Sequence, residues 1–206
     1  MKVPLNILDD VYDGSILFAL RQSDGLWTTS KPDDPLILSG SFNPLHQGHI
    51  QMLSAAEKMT GKKGIYEISI CNVDKPVLPK SKLLKRIKCF PPDNSFCVTT
   101  SPRFTEKSII LPGSTFVIGY DTAIRLLDTQ YYKKNDFNYY SYAVANALNL
   151  IAENHCSFIV GGRIDKAGQF RTLNDLKVPK KSRQLFELIP ESKFRVDISS
   201  SQIRKN

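Results

Sequence analysis

The 206-residue chain has one tryptophan, three histidines and four cysteines. Each scarcity excludes something. Cys71, Cys89, Cys97 and Cys156 form no CxxC pair and no metal-ligand spacing, so a zinc ribbon and a disulfide-framed secreted domain are both disfavoured and reduced thiols are expected. No apolar run approaches the roughly 18 residues a membrane span needs, and the start "MKVPLNILDD" lacks the apolar core of a signal peptide. There is no internal repeat and no low-complexity tract. The expectation is a soluble intracellular protein with no membrane partner, cytoplasmic, with a nuclear location also compatible.

What is present is ordinary globular composition, 41% hydrophobic and 23% charged, enough for one sizeable domain. The net charge of +8 is uneven: residues 1–34 carry −3 and the remainder +11. Residues 1–34 read as an acidic N-terminal extension and residues 35–206 as the main domain. A basic body suits anionic partners, whether small phosphates or nucleic acid, and charge alone does not choose between them.

Hydrophobic periodicity alternates strand and helix. "SILFAL", "LILSG", "GIYEISICNV", "FCVTT", "STFVIGYD", "CSFIVGG" and "KFRVD" read as strands. "GHIQMLSAAEKMTG" (stopped at Gly61), "KSKLLKRIKCF", "TEKSII", "DTAIRLL", "NYYSYAVANALNLIAENH" and "KSRQLFELI" read as helices. The expected fold is α/β: a Rossmann-like, doubly wound parallel sheet of about five to six strands with helices on both faces. Such sheets bind ligands beyond the carboxyl ends of their strands, where the order reverses. The polar and glycine clusters fall there: "GSFNPLHQGH", Asn72 and Asp74, Gly119 and Asp121, Gly161 to Arg163, and "DISSSQIR".

In "GSFNPLHQGH" two of the three histidines, His46 and His49, lie one helical turn apart behind a strand. A loop entering a helix presents backbone N–H groups and the positive end of the helix dipole to an anion. Gly40 and Gly48 would let a phosphate come close to the main chain. Imidazoles can donate to a phosphoryl oxygen whose charge grows during displacement. No acid beside them suggests a general base, and no serine spacing suggests a covalent nucleophile.

The stretch fits GxFxPxHxGH, the first signature of the nucleotidylyltransferase superfamily. "ISSSQIR" is similar to its second signature, ISSTxxR, with Ser201 keeping the hydroxyl of the usual threonine. "VIGYD" matches the intervening GxD strand, and "VGGR" supplies the arginine that nicotinamide and nicotinate mononucleotide adenylyltransferases carry after the next strand. The order is the family's, and the resemblance covers about residues 35–204.

The resemblance implies transfer of AMP from ATP to nicotinamide or nicotinate mononucleotide, with pyrophosphate released, a step of NAD biosynthesis. His46, His49 and Arg204 would be catalytic. Gly40, Phe42, His46, His49, Gly119, Asp121, Arg163, Ser199, Ser200 and Arg204 would bind ATP. Ser41, Asn72, Lys75 and Tyr131 would bind the mononucleotide. Mg²⁺ would accompany ATP without a dedicated protein cage. The family's ring-stacking tryptophan after GxD is absent, Trp27 lies too early to replace it, and Tyr131 and Tyr132 offer aromatic faces instead. The sequence ends two residues after Arg204, where the family continues in a helix, so a shortened variant or a minimal domain is expected. Bland roles stay open for Asp121 and the serines as helix caps, for Arg163 as a surface arginine, and for the basic run from Lys75 to Lys88 as a solvated face. The alternative function is a catalytically inactive nucleotide- or RNA-binding member of the same fold. Nucleic acid is not the favoured partner, and an oligomer is compatible.

Overall fold

The near-continuous apolar runs "LIL" and "FVI" suit strands buried on both faces, and both lie in the middle of the sheet. The computed structural model describes residues 5–73, 76–91, 93–132 and 143–196. In chain order the elements are α1 (Leu5–Asp13), β1 (Phe18–Arg21), β2 (Trp27–Thr28), β3 (Leu36–Ser39), α2 (Gln47–Thr60), β4 (Gly64–Ser69), α3 (Lys80–Ile87), β5 (Ser95–Thr99) and α4 (Phe104–Ile110). Then come β6 (Thr115–Gly119), α5 (Tyr120–Leu127), a 3₁₀ turn (Thr129–Tyr132), α6 (Ala143–Glu153), β7 (Ser157–Gly161), β8 (Arg163–Ile164), β9 (Phe170–Arg171) and β10 (Phe186–Leu188).

The main sheet has eight strands in the order β10-β7-β6-β3-β4-β5-β1-β2. β10 to β5 are mutually parallel. β1 and β2 add an antiparallel edge. The chain enters the parallel set at β3, builds outward through β4 and β5, then returns to β3's other side with β6. That reversal places the switch point between β3 and β6. Helices cover both faces: α1, α2 and α3 lie over one core, with Leu8, Leu53 and Leu83, and α4, α5 and α6 over the other, with Ile110, Leu126 and Leu148.

The sheet is wider than the expected five to six strands, because "FAL" in the acidic extension pairs antiparallel with β5 and brings β2 with it. The extension is tied in elsewhere too. Leu8 and Val11 of α1 are fully buried, Tyr12 donates to the Leu78 carbonyl at 2.6 Å, and Asp9 pairs with Lys80.

The C-terminal part corrects two expectations. "KSRQLFELI" is not one helix: Lys180–Leu185 forms 3₁₀ turns and Phe186–Leu188 is the edge strand β10, in parallel register with Phe158 to Val160. Leu185, Phe186, Leu188 and Ile189 satisfy a helical spacing as well as a strand's, and pairing with β7 decides between them. Among the described residues, 193–196 of "KFRVD" form no strand. Phe194 is buried because it packs against Gly161, not because it belongs to the sheet. The helix predicted from Asn138 is described from Ala143 onward.

One ionic cluster sits inside the sheet. The Glu67 carboxylate on β4 is 0% exposed and takes two hydrogen bonds of 2.6 Å from Lys107 Nζ on α4 and one of 2.6 Å from the Thr99 hydroxyl on β5. Removing one member of a buried pair strands the other, at a cost of about 3–5 kcal/mol, whereas replacing both is often close to neutral. Lys107→Met is therefore expected to lower unfolding stability by about that amount, and adding Glu67→Gln to recover most of it. Urea denaturation of both variants measures the difference.

Candidate active site

The loop leaving β3 is shaped before it reaches α2. Gly40 N–H donates to the Glu67 carbonyl at 3.0 Å, which extends the strand pairing by one residue. A Cβ on Gly40 would lie 2.9 Å from the Phe42 ring, so glycine here makes room for that ring. Phe42 has a positive φ of 41°, uncommon for a bulky residue and characteristic of functional loops. Its ring is 1% exposed and meets His49 edge-on at 5.0 Å, and Tyr66 and Phe90 at 5.4 and 5.3 Å. From the other side, Arg86 Nη1 on α3 donates to the Ser41 carbonyl at 2.7 Å.

The two histidines begin α2 as a reciprocal capping box. His46 is the N-cap and its Nδ1 accepts from Gly48 N–H at 3.1 Å. His49 is the third helical residue and its Nδ1 accepts from His46 N–H at 3.3 Å. The rings stack with centroids 3.8 Å apart. An accepting Nδ1 in a neutral imidazole puts the proton on Nε2, which makes Nε2 the donor atom of each ring. Burial lowers the pKa of both. For His49, burial first and the adjacent His46 second push it down from 6.5 to about 4. Both rings are therefore neutral hydrogen-bond donors at pH 7.

These residues face a cleft of about 370 Å³ at the switch point. Gly40, Ser41, His46, His49, Gly119, Asp121 and Arg163 all line it. Among the described residues other than its chain neighbours, nothing lies within 4 Å of where a Gly119 Cβ would be. Asp121, in the first turn of α5, forms an ion pair with Arg163, which follows β7. Gly48 is tight for another reason: a Cβ would meet the His46 ring at 3.0 Å.

A second cavity of about 180 Å³ adjoins the first. Asn72 and Tyr131 line it with Arg103, Phe104 and Thr105, and Thr122 and Arg125 line both cavities. Two of the residues expected to bind a mononucleotide thus share one pocket, while Ser41 lies in the main cleft. Phe42 lines neither cavity and supports His49 from the core. Lys75, Ser199, Ser200 and Arg204, like Asp74, lie outside the described residues. Arg103, Thr122 and Arg125 were not singled out by the sequence, and Arg86 entered only as part of the basic run from Lys75 to Lys88. For Arg125 a signal existed: it follows Asp121 by four residues in "DTAIRLL", one turn along the same helix face.

A doubly wound sheet whose switch-point loop opens a helix beside a cleft is the arrangement in which α/β proteins bind their ligands. Residues 37–206 match the cytidylyltransferase-like family, and the chain belongs to that family, within the nucleotidyltransferase superfamily. It is also similar to a Schizosaccharomyces pombe protein named "Putative nicotinamide mononucleotide adenylyltransferase", with 29% identity over 116 residues, covering 50% of this chain and 46% of that protein. The match thus spans about half the length of that relative. Among the described residues no helix is long and apolar enough to cross a membrane.

The depressed pKa of His49 has a signed consequence. The unfolded chain takes up a proton near 6.5 while the folded site resists until about pH 4. The residue's influence on stability is therefore favourable above pH 6.5 and is lost as pH falls toward 4. In an NMR titration the His49 ring is expected to change state near pH 4, and bound triphosphate is expected to raise that midpoint.

Proposed function

We propose that this chain transfers the adenylyl group of ATP to the 5′-phosphate of nicotinamide or nicotinate mononucleotide, forming a dinucleotide and pyrophosphate as in NAD biosynthesis. The observation that carries the reading is the pair of joined cavities at the switch point, one floored by two neutral imidazole donors and the other holding Asn72 and Tyr131. The name of the similar fission-yeast protein supports it.

ATP occupies the main cleft. Its ribose sits over the open Gly119 backbone, and Asp121 accepts from the ribose hydroxyls, exchanging its partner Arg163, which turns to the phosphates. Ser199, Ser200 and Arg204 complete the grip on the triphosphate through hydroxyls and a permanently charged guanidinium. The mononucleotide places its phosphate near Ser41 and Lys75 and its ring near Tyr131 and Asn72. A phosphate oxygen attacks the α-phosphorus in line as the bond to the bridging oxygen breaks, and pyrophosphate leaves with that electron pair. His46 and His49 donate to the oxygens on which charge grows, and the half-buried, pre-stacked rings need no reorganisation to do so. Among the described residues no group of three His, Cys, Asp or Glu side chains is placed to hold a metal ion. We therefore propose that magnesium is held by the phosphates and water, where it would shield their charge.

The test mixes the protein with ATP, Mg²⁺ and either mononucleotide and follows dinucleotide and pyrophosphate. Equal amounts of both products are expected, and His49→Ala is expected to lower kcat by about 10²–10³-fold, the usual loss for a donor to a developing oxyanion. Nucleotide binding by folded protein without either product would sink the reading in favour of a binding-only member of the fold. In a second experiment, Gly119→Val is expected to leave the thermal midpoint of the free protein unchanged and to abolish its rise on adding Mg·ATP.

A further inference from the structure

The side pocket contains a cation that the chemistry above does not use. Arg125 lies on α5 and lines both cavities, so it stands where the small pocket opens into the nucleotide cleft. Its guanidinium carbon is 5.7 Å from the centroid of the Tyr131 ring. Stacking on an aromatic face steadies a guanidinium while leaving its in-plane N–H donors available.

Comparison with the other arginines sharpens the point. Arg103 bonds Glu106 at 3.1 Å, Arg86 bonds the Ser41 carbonyl, and Arg183 bonds the Phe186 carbonyl. Arg163, Arg171 and Arg195 each pair with a carboxylate. Among the described residues no carboxylate or carbonyl accepts from Arg125, and neither Asp nor Glu lines the side pocket. A forked donor set in an acid-free pocket matches a planar or tetrahedral oxyanion.

We propose that Arg125 is a specificity-determining residue for the second substrate, binding an oxyanion of that substrate at the junction of the two cavities. The inference rests on the adenylyl-transfer reading and identifies how the acceptor is held. The cavity of about 180 Å³ is too small for a whole nucleotide and fits one aromatic ring with its substituent. Two groups of the acceptor carry the required chemistry: the carboxylate of a nicotinate ring and the 5′-phosphate. Either would take paired hydrogen bonds from a guanidinium steadied by Tyr131.

Steady-state kinetics of wild type, Arg125→Gln and Arg125→Lys with each mononucleotide separate the cases. Arg125→Gln is expected to raise the acceptor KM by about 10- to 100-fold, the worth of a charge-assisted hydrogen bond, while the KM for ATP and the thermal midpoint hold steady. Arg125→Lys is expected to restore part of the loss. A rise confined to nicotinate mononucleotide identifies the ring carboxylate as the bound oxyanion; an equal rise for both acceptors identifies the 5′-phosphate. An unchanged acceptor KM, or an equal rise in the KM for ATP, overturns the assignment. Wild-type protein that turns over neither mononucleotide fails the adenylyl-transfer reading itself and takes this inference with it.

Discussion

The structure depends on β3 pairing in parallel with both β4 and β6. Hydrogen bonds along "LILS" hold together two halves that the chain builds outward in opposite directions, and the connections leaving β3 and β6 must part at their carboxyl ends. The cleft is the space between those connections. The bond from Gly40 N–H to the Glu67 carbonyl carries the pairing one residue past β3. On the same strand, the buried Glu67 side chain joins Thr99 of β5 and Lys107 of α4. The floor of the site is thus fastened by backbone pairing and by a buried charge cluster.

The histidine pair depends on that floor. Phe42 can be buried beneath His49 because Gly40 has no side chain to collide with its ring. Once α2 starts at Gln47, each imidazole caps a backbone N–H near the other. Capping therefore uses one atom of each ring, Nδ1, which puts the proton of the neutral imidazole on Nε2. Partial burial favours the neutral form of both rings, which avoids the cost of holding two adjacent positive charges in a poorly solvated place.

Much of this was legible in the chain. The strands "LILS", "YEIS", "FVIG" and "FIVG" are apolar runs bounded by turn residues, and local pattern suffices to find them. The start of α2 was legible because His46, Gly48 and His49 crowd one turn, and its end because Gly61 takes the left-handed conformation that caps a helix, with φ of 73°. "LFELI" is ambiguous because its four apolar residues satisfy both helical and extended periods. The acidic extension showed a strand in "SILFAL" but not its place in the sheet, since four strand residues carry no address for a partner about 80 positions away.

The residue types and spacing of "GSFNPLHQGH" by themselves determined that a helix starts here with both imidazoles at its mouth, because capping is a local consequence of a backbone leaving a strand for a helix. Only the tertiary structure decided which other residues face it. Gly119, Asp121, Arg163 and Arg125 meet the histidines through parallel pairing across distant segments. Phe42 becomes a support because the core accepts its ring, and Asn72, just after β4, and Tyr131, just after α5, line one pocket although they are far apart in the chain. Such neighbours are set by register and packing between remote parts of the chain, which no local spacing encodes.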